Sequence, residues 1–166
     1  MQTLYATCGL AFSGKTTLAK RLAAILDIPR VSLDDINSER GLRGGEGMTD
    51  AQWEETSAIA VKRLSQILAV GQSVVLDDTL SHRFLRDRYR DVATNVRAGF
   101  VLLFVDTTLE EIDERMQKNH DQPVRHHVNS DVFAAHSDRF ERPTIDEQAV
   151  KLASNGDIES FLASVK

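Results

Sequence analysis

The stretch GLAFSGKTT, residues 9–17, matches the pattern G-x-x-x-x-G-K-[ST] at every specified position. Gly9 and Gly14 allow the backbone to curl so that successive N–H groups point inward, toward phosphate oxygens. The chain after the loop is predicted to be a helix, whose positive N-terminal end faces the same anion. The stretch therefore predicts a binding site for the phosphates of a nucleoside triphosphate.

Side chains of this loop add specific contacts. Lys15 can reach the β- and γ-phosphates, and the hydroxyl of Thr16 can complete the coordination shell of Mg²⁺. We expect ATP and Mg²⁺ as cofactors, although the sequence leaves GTP open. The expected nucleotide contacts in the loop are Gly9, Ala11, Phe12, Ser13, Gly14, Lys15, Thr16 and Thr17.

Short apolar runs alternate with amphipathic stretches along the chain. The runs cover residues 3–8, 28–33, 73–78, 100–105 and 149–152. This alternation is typical of a five-stranded parallel sheet with helices on both faces, a three-layer α/β/α fold. We expect residues 36–48 to be irregular, and Thr49 with Gln52 to form a capping box that opens a long helix. The helix after the third run is expected to bury Phe84 and Tyr89.

The length, composition and net charge of the chain limit the classes of protein to which it can belong. The chain has 166 residues, of which 42% are hydrophobic, and we expect one domain over residues 1–166. The net charge of −5 disfavours a general nucleic-acid binder, whose surface should be basic. No apolar run approaches the length of a membrane span and no secretory signal is visible, so we expect a cytoplasmic protein with no membrane partner. The expected assembly is a monomer or a homodimer.

Two predicted strands end in pairs of carboxylates, Asp34 with Asp35 and Asp77 with Asp78. Because ligands of an open parallel sheet bind at the carboxyl ends of its strands, we expect all four carboxylates near the γ-phosphate. Asp77 follows an apolar strand, so we expect it to hold Mg²⁺ directly or through water. Asp78 is the alternative for this role, because consecutive strand residues point to opposite faces and only one of the two can face the metal. The alternative for Asp77 is a helix cap.

Asp34 and Asp35 follow the second strand, across the expected cleft from the phosphate-binding loop. A kinase for small molecules needs a base that accepts the proton of the attacking hydroxyl. We assign this role to Asp34, and Asp35 remains an alternative. Helix capping is the competing explanation for both carboxylates.

Arg115, Lys118 and Arg125 flank a loop rich in Arg and His at residues 120–130. A mobile arginine can neutralise the charge that phosphoryl transfer spreads over the equatorial oxygens while excluding water. We therefore expect a lid over about residues 115–135, with Arg115 binding nucleotide and acting in catalysis. A solvated helix face is the alternative.

Candidates for binding the phosphate acceptor surround the second strand and the helices beside it. The glycine-rich segment 41–48 is long for a simple connection, which favours a mobile substrate loop. Arg83, Arg86 and Arg90 share one helix face that could grip an anion or simply be solvated. The expected substrate-binding residues are Asp34, Asp35, Asn37, Arg40, Trp53 and Arg83.

The order of these motifs resembles the small P-loop kinases of the AAA_33 type. This group includes chloramphenicol phosphotransferase, zeta-toxin-like kinases, gluconate kinase and the kinase domain of polynucleotide kinase. The resemblance rests on the loop GLAFSGKTT and on the segments VSLDDIN, VVLDDT, ERMQKN and FERPTIDE. It implies a nucleoside-kinase-like sheet in the order 2-3-1-4-5 with a short lid. It also matches Asp34 to the substrate-hydroxyl aspartate, Asp77 to the Walker B acid and Arg115 to the first lid arginine.

Two positions depart from the pattern of these relatives. Asn37 stands where they often carry an arginine, and Asn119 stands where a second lid arginine is common. Lys118 or Arg125 are the candidates to replace that second arginine. In the polynucleotide-kinase type, the arginine that stands in place of Asn37 helps to bind substrate phosphate. The loss of both arginines disfavours a nucleic-acid 5′ end as substrate.

The predicted function is an ATP-dependent phosphotransferase that moves the γ-phosphate to a hydroxyl of a metabolite or antibiotic-like molecule. Lys15, Asp34 and Arg115 are its expected catalytic residues, and nucleic acid is disfavoured as a partner. One alternative is a polynucleotide or nucleotide kinase. Another is a nucleotide-binding regulatory ATPase with little transfer activity.

Overall fold

The computed structural model describes residues 1–42, 47–123, 128 and 130–165. The strands are β1 (Thr3–Cys8), β2 (Arg30–Ser32), β3 (Val74–Asp77), β4 (Gly99–Val105) and β5 (Val150–Leu152). The helices are α1 (Lys15–Leu26), α2 (Leu33–Glu39), α3 (Asp50–Ala69), α4 (Arg83–Asn95), α5 (Leu109–Asp121), α6 (Ser130–Arg139) and α7 (Asn155–Ser164). A short 3₁₀ helix covers Ile145–Glu147.

The strands form one parallel sheet in the order β2-β3-β1-β4-β5. β1 lies in the middle, where Ala6 is in register with Leu76 of β3 and Leu102 of β4. The predicted three-layer α/β/α fold and its sheet order are therefore confirmed. Because all strands run in one direction, their carboxyl ends share one edge, where β1 continues into the loop at residues 9–14.

Two separate apolar cores cover the two faces of the sheet. On one face α3 and α4 contribute Leu64, Leu68 and Tyr89, all fully buried. On the other face α1 and α7 contribute Leu22 and Leu162. Among the described residues, no helix combines the length and the apolar character needed to cross a lipid bilayer.

The region after β2 differs from the expectation of irregular chain. Residues 33–39 form α2, which shortens the predicted strand at residues 28–33. Ser32 caps this helix, because its hydroxyl accepts a hydrogen bond from the amide of Asp35 at 3.3 Å. Carboxylates in the first turn favour the same start, since they face the positive end of the helix dipole. The capping box predicted at Thr49 is confirmed at the start of α3.

The buried face of α4 also differs from the expectation. Tyr89 is buried as predicted, but Phe84 is 61% exposed and stacks on His82, with 5.6 Å between the ring centroids. Arg86 occupies the core side of the helix instead and is 1% exposed. Its charge is tolerated there because Glu147 forms an ion pair with it at 2.6 Å.

Candidate active site

The loop between β1 and α1 has the curled backbone that an anion site needs. Gly9 (φ 149°) and Gly14 (φ 105°) both have positive φ values. A Cβ on Gly9 would lie 2.6 Å from the carbonyl oxygen of Val105, which leaves room for hydrogen alone. The amide of Gly9 donates to the carbonyl of Thr79 at 3.1 Å, so the loop is fixed between the ends of β3 and β4.

Lys15 is the first residue of α1, and its side chain folds back over the loop. The ammonium Nζ donates to the carbonyl of Leu10 at 2.6 Å, and the residue is only 8% exposed. Its charge therefore lies at the mouth of the loop, together with the N-terminal end of α1. This is where the phosphates of a nucleotide would bind.

Arg115 connects α5 to the loop. Its Nη1 donates to the carbonyls of Phe12 at 3.0 Å and Ser13 at 2.9 Å. The ring of Phe12 also packs in a small apolar cluster with Ile112 and Phe133, which come from α5 and α6. These contacts anchor the helices of the predicted lid region on the phosphate-binding loop.

Thr16 and Asp77 present oxygen ligands at one place. The Thr16 hydroxyl donates to Asp77 Oδ1 at 3.3 Å, and the Asp77 side chain is 4% exposed. Burial raises the pKa of Asp77, while the charges of Arg30 and Lys15 oppose that shift. A hydroxyl and a carboxylate are hard oxygen donors suited to Mg²⁺, which usually takes one or two protein ligands plus phosphate oxygens. The residues therefore fit the expected ion, and the described part of the chain has no larger cluster of metal-binding side chains.

Asp78 faces a different environment from Asp77. Its Oδ2 accepts a hydrogen bond from the amide of Leu80 at 3.2 Å. Burial raises the pKa of Asp78, although hydrogen bonds from the amides of Thr79 and Leu80 partly offset the effect. Asp77 therefore contacts the Thr16 hydroxyl, whereas Asp78 contacts the chain that follows β3.

These residues surround a cleft of about 410 Å³. Residues of the phosphate-binding loop line this cleft, together with Asp77 and Asp78. Asp34 and Trp53, from α2 and α3, line the cleft beside β2, which is one edge of the sheet. Asn155 and Ile158 line it from α7, which packs on β5 at the other edge. The cleft therefore crosses the carboxyl edge of the sheet, with the phosphate-binding loop in its middle.

Three of the four carboxylates expected near the γ-phosphate reach this cleft, namely Asp34, Asp77 and Asp78. Asp35 does not, because its carboxylate pairs with the guanidinium of Arg30 at 2.5 Å. The expectation that all four converge is therefore wrong.

The remaining residues expected to bind substrate are engaged elsewhere. Asn37 is buried and accepts a hydrogen bond from Thr56 at 2.5 Å. Arg40 donates a hydrogen bond to the carbonyl of Gln52 at 2.7 Å and forms an ion pair with Glu55. Arg83 forms an ion pair with Asp146 at 2.5 Å. The structure does not bring these three side chains to the cleft. Arg43, Arg125, His126 and His127, which fall in the predicted substrate loop and lid, lie outside the described residues.

Residues 4–143 match the model of the AAA_33 family, which is described as an AAA domain. The chain belongs to this family. The match spans β1 through the segment after α6, so it includes the loop, both carboxylate pairs and Arg115. This match and the similarity to kinases together confirm the resemblance to small P-loop kinases, and the AAA_33 chain is a kinase-type P-loop NTPase.

Two kinases and one further nucleotide-bound protein are similar to this AAA_33 chain. Adenylyl-sulfate kinase of Saccharomyces pastorianus is 29% identical over 143 residues, covering 84% of this chain and 70% of that enzyme. Kti12 of Chaetomium thermophilum, solved with ADP-AlF3, superposes with a TM-score of 0.77 at 19% identity, covering 98% of this chain and 96% of that one. The APS kinase CysC of Mycobacterium tuberculosis, solved with AMPPNP and APS, gives 0.72 at 17% identity, covering 99% and 95%. These two structures share the fold.

Sequence reasoning missed several residues that line or support the cleft of the AAA_33 chain. Asn155 and Ile158 lie in α7, where an ordinary amphipathic pattern gives no functional signal. Arg21 lines the cleft from α1 and pairs with Glu159 at 2.6 Å. Arg30 reaches Asp77 from β2, and the only available signal was a charged residue at the start of an otherwise buried strand.

Proposed function

We propose that this protein is an ATP-dependent phosphotransferase that moves the γ-phosphate of ATP to a hydroxyl group of a small molecule. The observation that supports it is one cleft shared by Lys15, Thr16 and Asp34. Phosphoryl transfer requires phosphate-binding groups and a group that orients the attacking hydroxyl within the same space. The cleft offers both.

The proposed reaction assigns one role to each residue. Asp34 accepts the proton of the acceptor hydroxyl as its oxygen forms a bond to the γ-phosphorus, and the bond to the bridging oxygen of ADP breaks. Lys15 and Arg115 offset the negative charge that spreads over the transferring group. Thr16 and Asp77 would hold Mg²⁺, which supplies further neutralisation of phosphate charge.

The acceptor side of the cleft favours a neutral or cationic small molecule. Asp34 provides a carboxylate there, and Trp53 provides an aromatic face on which a sugar or an aromatic ring can pack. Arg40 lies outside the cleft, where its charge is paired with Glu55. A phosphorylated acceptor or a nucleic-acid end would need cations, and the described residues that line this side of the cleft, Asp34 and Trp53, include none. We therefore place the polynucleotide-kinase alternative second.

A transfer assay with γ-labelled ATP tests the proposal. The acceptor panel contains neutral polyols, amino sugars, nucleosides, phosphorylated sugars, adenylyl sulfate and DNA with a 5′ hydroxyl. We expect label in a neutral or amino-bearing alcohol, and loss of that label in the variant Asp34→Asn. Labelled DNA ends would favour the polynucleotide-kinase alternative. Tight ATP binding with slow hydrolysis and no labelled alcohol would favour the regulatory ATPase.

A further inference from the structure

Arg30 lies between two carboxylates at the edge of the candidate magnesium site. Its Nη1 contacts Asp77 Oδ2 at 2.6 Å, and its Nη2 contacts Asp35 Oδ2 at 2.5 Å. The Arg30 side chain is 18% exposed and that of Asp77 is 4% exposed, whereas Asp35 is 60% exposed. The guanidinium therefore bridges a buried acid and a surface acid.

The two oxygens of Asp77 have different partners. Oδ2 accepts the hydrogen bond from Arg30, while Oδ1 accepts the bond from the Thr16 hydroxyl at 3.3 Å. A carboxylate is a rigid plane, so a strong contact to one oxygen fixes the direction of the other. With Oδ2 held by Arg30, Oδ1 points to Thr16, which is the other expected ligand of Mg²⁺.

We propose that Arg30 is a positioning residue that orients Asp77 for binding of Mg²⁺ with the nucleotide. Asp35 completes the arrangement by holding the second arm of the guanidinium from the protein surface. This inference rests on the proposed function, because it concerns the metal site that the phosphotransferase would use. Groups that hold a metal ligand in place typically change metal affinity about 10–100-fold when they are removed.

The geometry requires an arginine. A guanidinium presents several N–H donors in a fixed fork, so two of its nitrogens can contact two carboxylates at once. A lysine has one compact ammonium and can form a close pair with only one of them. The variant Arg30→Lys would thus retain a positive charge near buried Asp77 without the bridge to Asp35. This variant separates charge compensation from orientation.

The test measures nucleotide binding with and without Mg²⁺, without using catalytic turnover. Trp53 is the single tryptophan of the chain and lines the cleft, so its fluorescence can report binding of a non-hydrolysable ATP analogue. Binding is measured in EDTA and across a Mg²⁺ titration, and calorimetry repeats the measurement independently. The variants are Arg30→Lys, Arg30→Gln and Asp35→Asn. The matched control is Arg63→Gln, which removes an arginine whose pair with Glu39 lies on the surface.

We expect Arg30→Lys and Arg30→Gln to raise, by about tenfold or more, the Mg²⁺ concentration that gives half of the Mg²⁺-dependent gain in analogue affinity. Binding of the analogue in EDTA should stay unchanged. Asp35→Asn should raise this half-maximal Mg²⁺ concentration by a smaller factor, and Arg63→Gln should leave it unchanged. An unchanged Mg²⁺ response in folded Arg30→Lys or in Asp35→Asn would overturn the proposal, even if Arg30→Gln failed to fold. A wild-type protein whose nucleotide binding ignores Mg²⁺ would instead contradict the proposed function, and the role of Arg30 with it.

Discussion

The Thr16 hydroxyl and Asp77 Oδ1 meet at 3.3 Å, although 61 positions separate them in the sequence. Thr16 lies in the first turn of α1, and Asp77 ends β3. β3 pairs with β1, the strand that precedes the phosphate-binding loop, so the sheet order brings the two side chains together. The contact joins the nucleotide loop to the carboxylate expected to share its metal ion.

The ammonium of Lys15 is predicted to provide much of the affinity for nucleotide. Replacing Lys15 with Ala should weaken ATP binding and lower kcat/KM by about 100-fold or more, because loss of a preorganised charged donor has this order of effect. The measurement is calorimetric titration together with the transfer assay. Lys20→Ala is the control, since Lys20 is an exposed lysine on the same helix. Equal nucleotide affinity in the two variants would contradict the assignment of Lys15.

Asp34 is predicted to act on the acceptor and not on the nucleotide. The variant Asp34→Asn keeps the shape of the side chain but removes the proton acceptor, so kcat should fall by about 100-fold or more while ATP affinity stays unchanged. Asp27→Asn serves as the control, because Asp27 is exposed at the end of α1 in a left-handed conformation that Asn also adopts. Near-normal transfer by Asp34→Asn would show that another group accepts the proton.

The tight packing at Gly9 predicts a strong steric effect. A Cβ at this position would lie 2.6 Å from the carbonyl oxygen of Val105, so Gly9→Ala should lower the free energy of unfolding by about 2 kcal/mol and weaken ATP binding. Gly156 has no atom closer than 3.6 Å to such a Cβ and lies in α7. Gly156→Ala should raise stability by about 0.5 kcal/mol. Urea unfolding measures the free energy of unfolding of both variants. Equal changes in Gly9→Ala and Gly156→Ala would contradict this account of the loop.

The buried pair of Arg86 and Glu147 predicts acid-sensitive stability. Burial alone would raise the pKa of Glu147, but hydrogen bonds from Arg86 and from the amide of Thr144 outweigh it and hold the pKa below its usual 4.5. A lowered pKa in the folded state contributes stability that is fully present above pH 4.5. That contribution is lost as the pH falls through the lowered pKa. The free energy of unfolding should therefore decline below about pH 4.5, and less steeply in Glu147→Gln.

A neighbouring arginine provides the comparison for this pair. Arg86→Met should cost about 3–5 kcal/mol at pH 7, because it leaves a buried carboxylate without its partner. Arg83 lies on the same helix and forms an exposed pair with Asp146, so Arg83→Met should cost far less than Arg86→Met. Urea unfolding at pH 7 and pH 4 should show the cost of Arg86→Met shrinking in acid, where Glu147 can be protonated. A constant cost at both pH values would contradict the role of the ion pair.

Local sequence patterns were enough to predict the parts of the fold that depend on neighbours along the chain. The strand, glycine loop and helix at residues 3–26 follow from β-branched residues, glycine spacing and apolar periodicity. The capping box at Thr49 was predicted because both of its partners lie within four residues. The sheet order came from the resemblance to known kinases and was confirmed.

Features that depend on distant partners could not be predicted in this way. Phe84 was expected in the core from its place in the helical pattern, whereas the core position belongs to Arg86. Arg86 is buried because Glu147, 61 positions away, neutralises it. Arg30 depends in the same way on Asp77, 47 positions away. By contrast α2 was missed although its signal is local, since Ser32 is a favourable cap before two carboxylates.

A crystal structure with a non-hydrolysable ATP analogue and Mg²⁺ tests the central claim most directly. The account predicts that the triphosphate lies in the loop at residues 9–17, with the metal ion between Thr16 and Asp77 and the γ-phosphate facing Asp34 across the cleft. A nucleotide bound at another site, or a γ-phosphate directed away from Asp34, would contradict it.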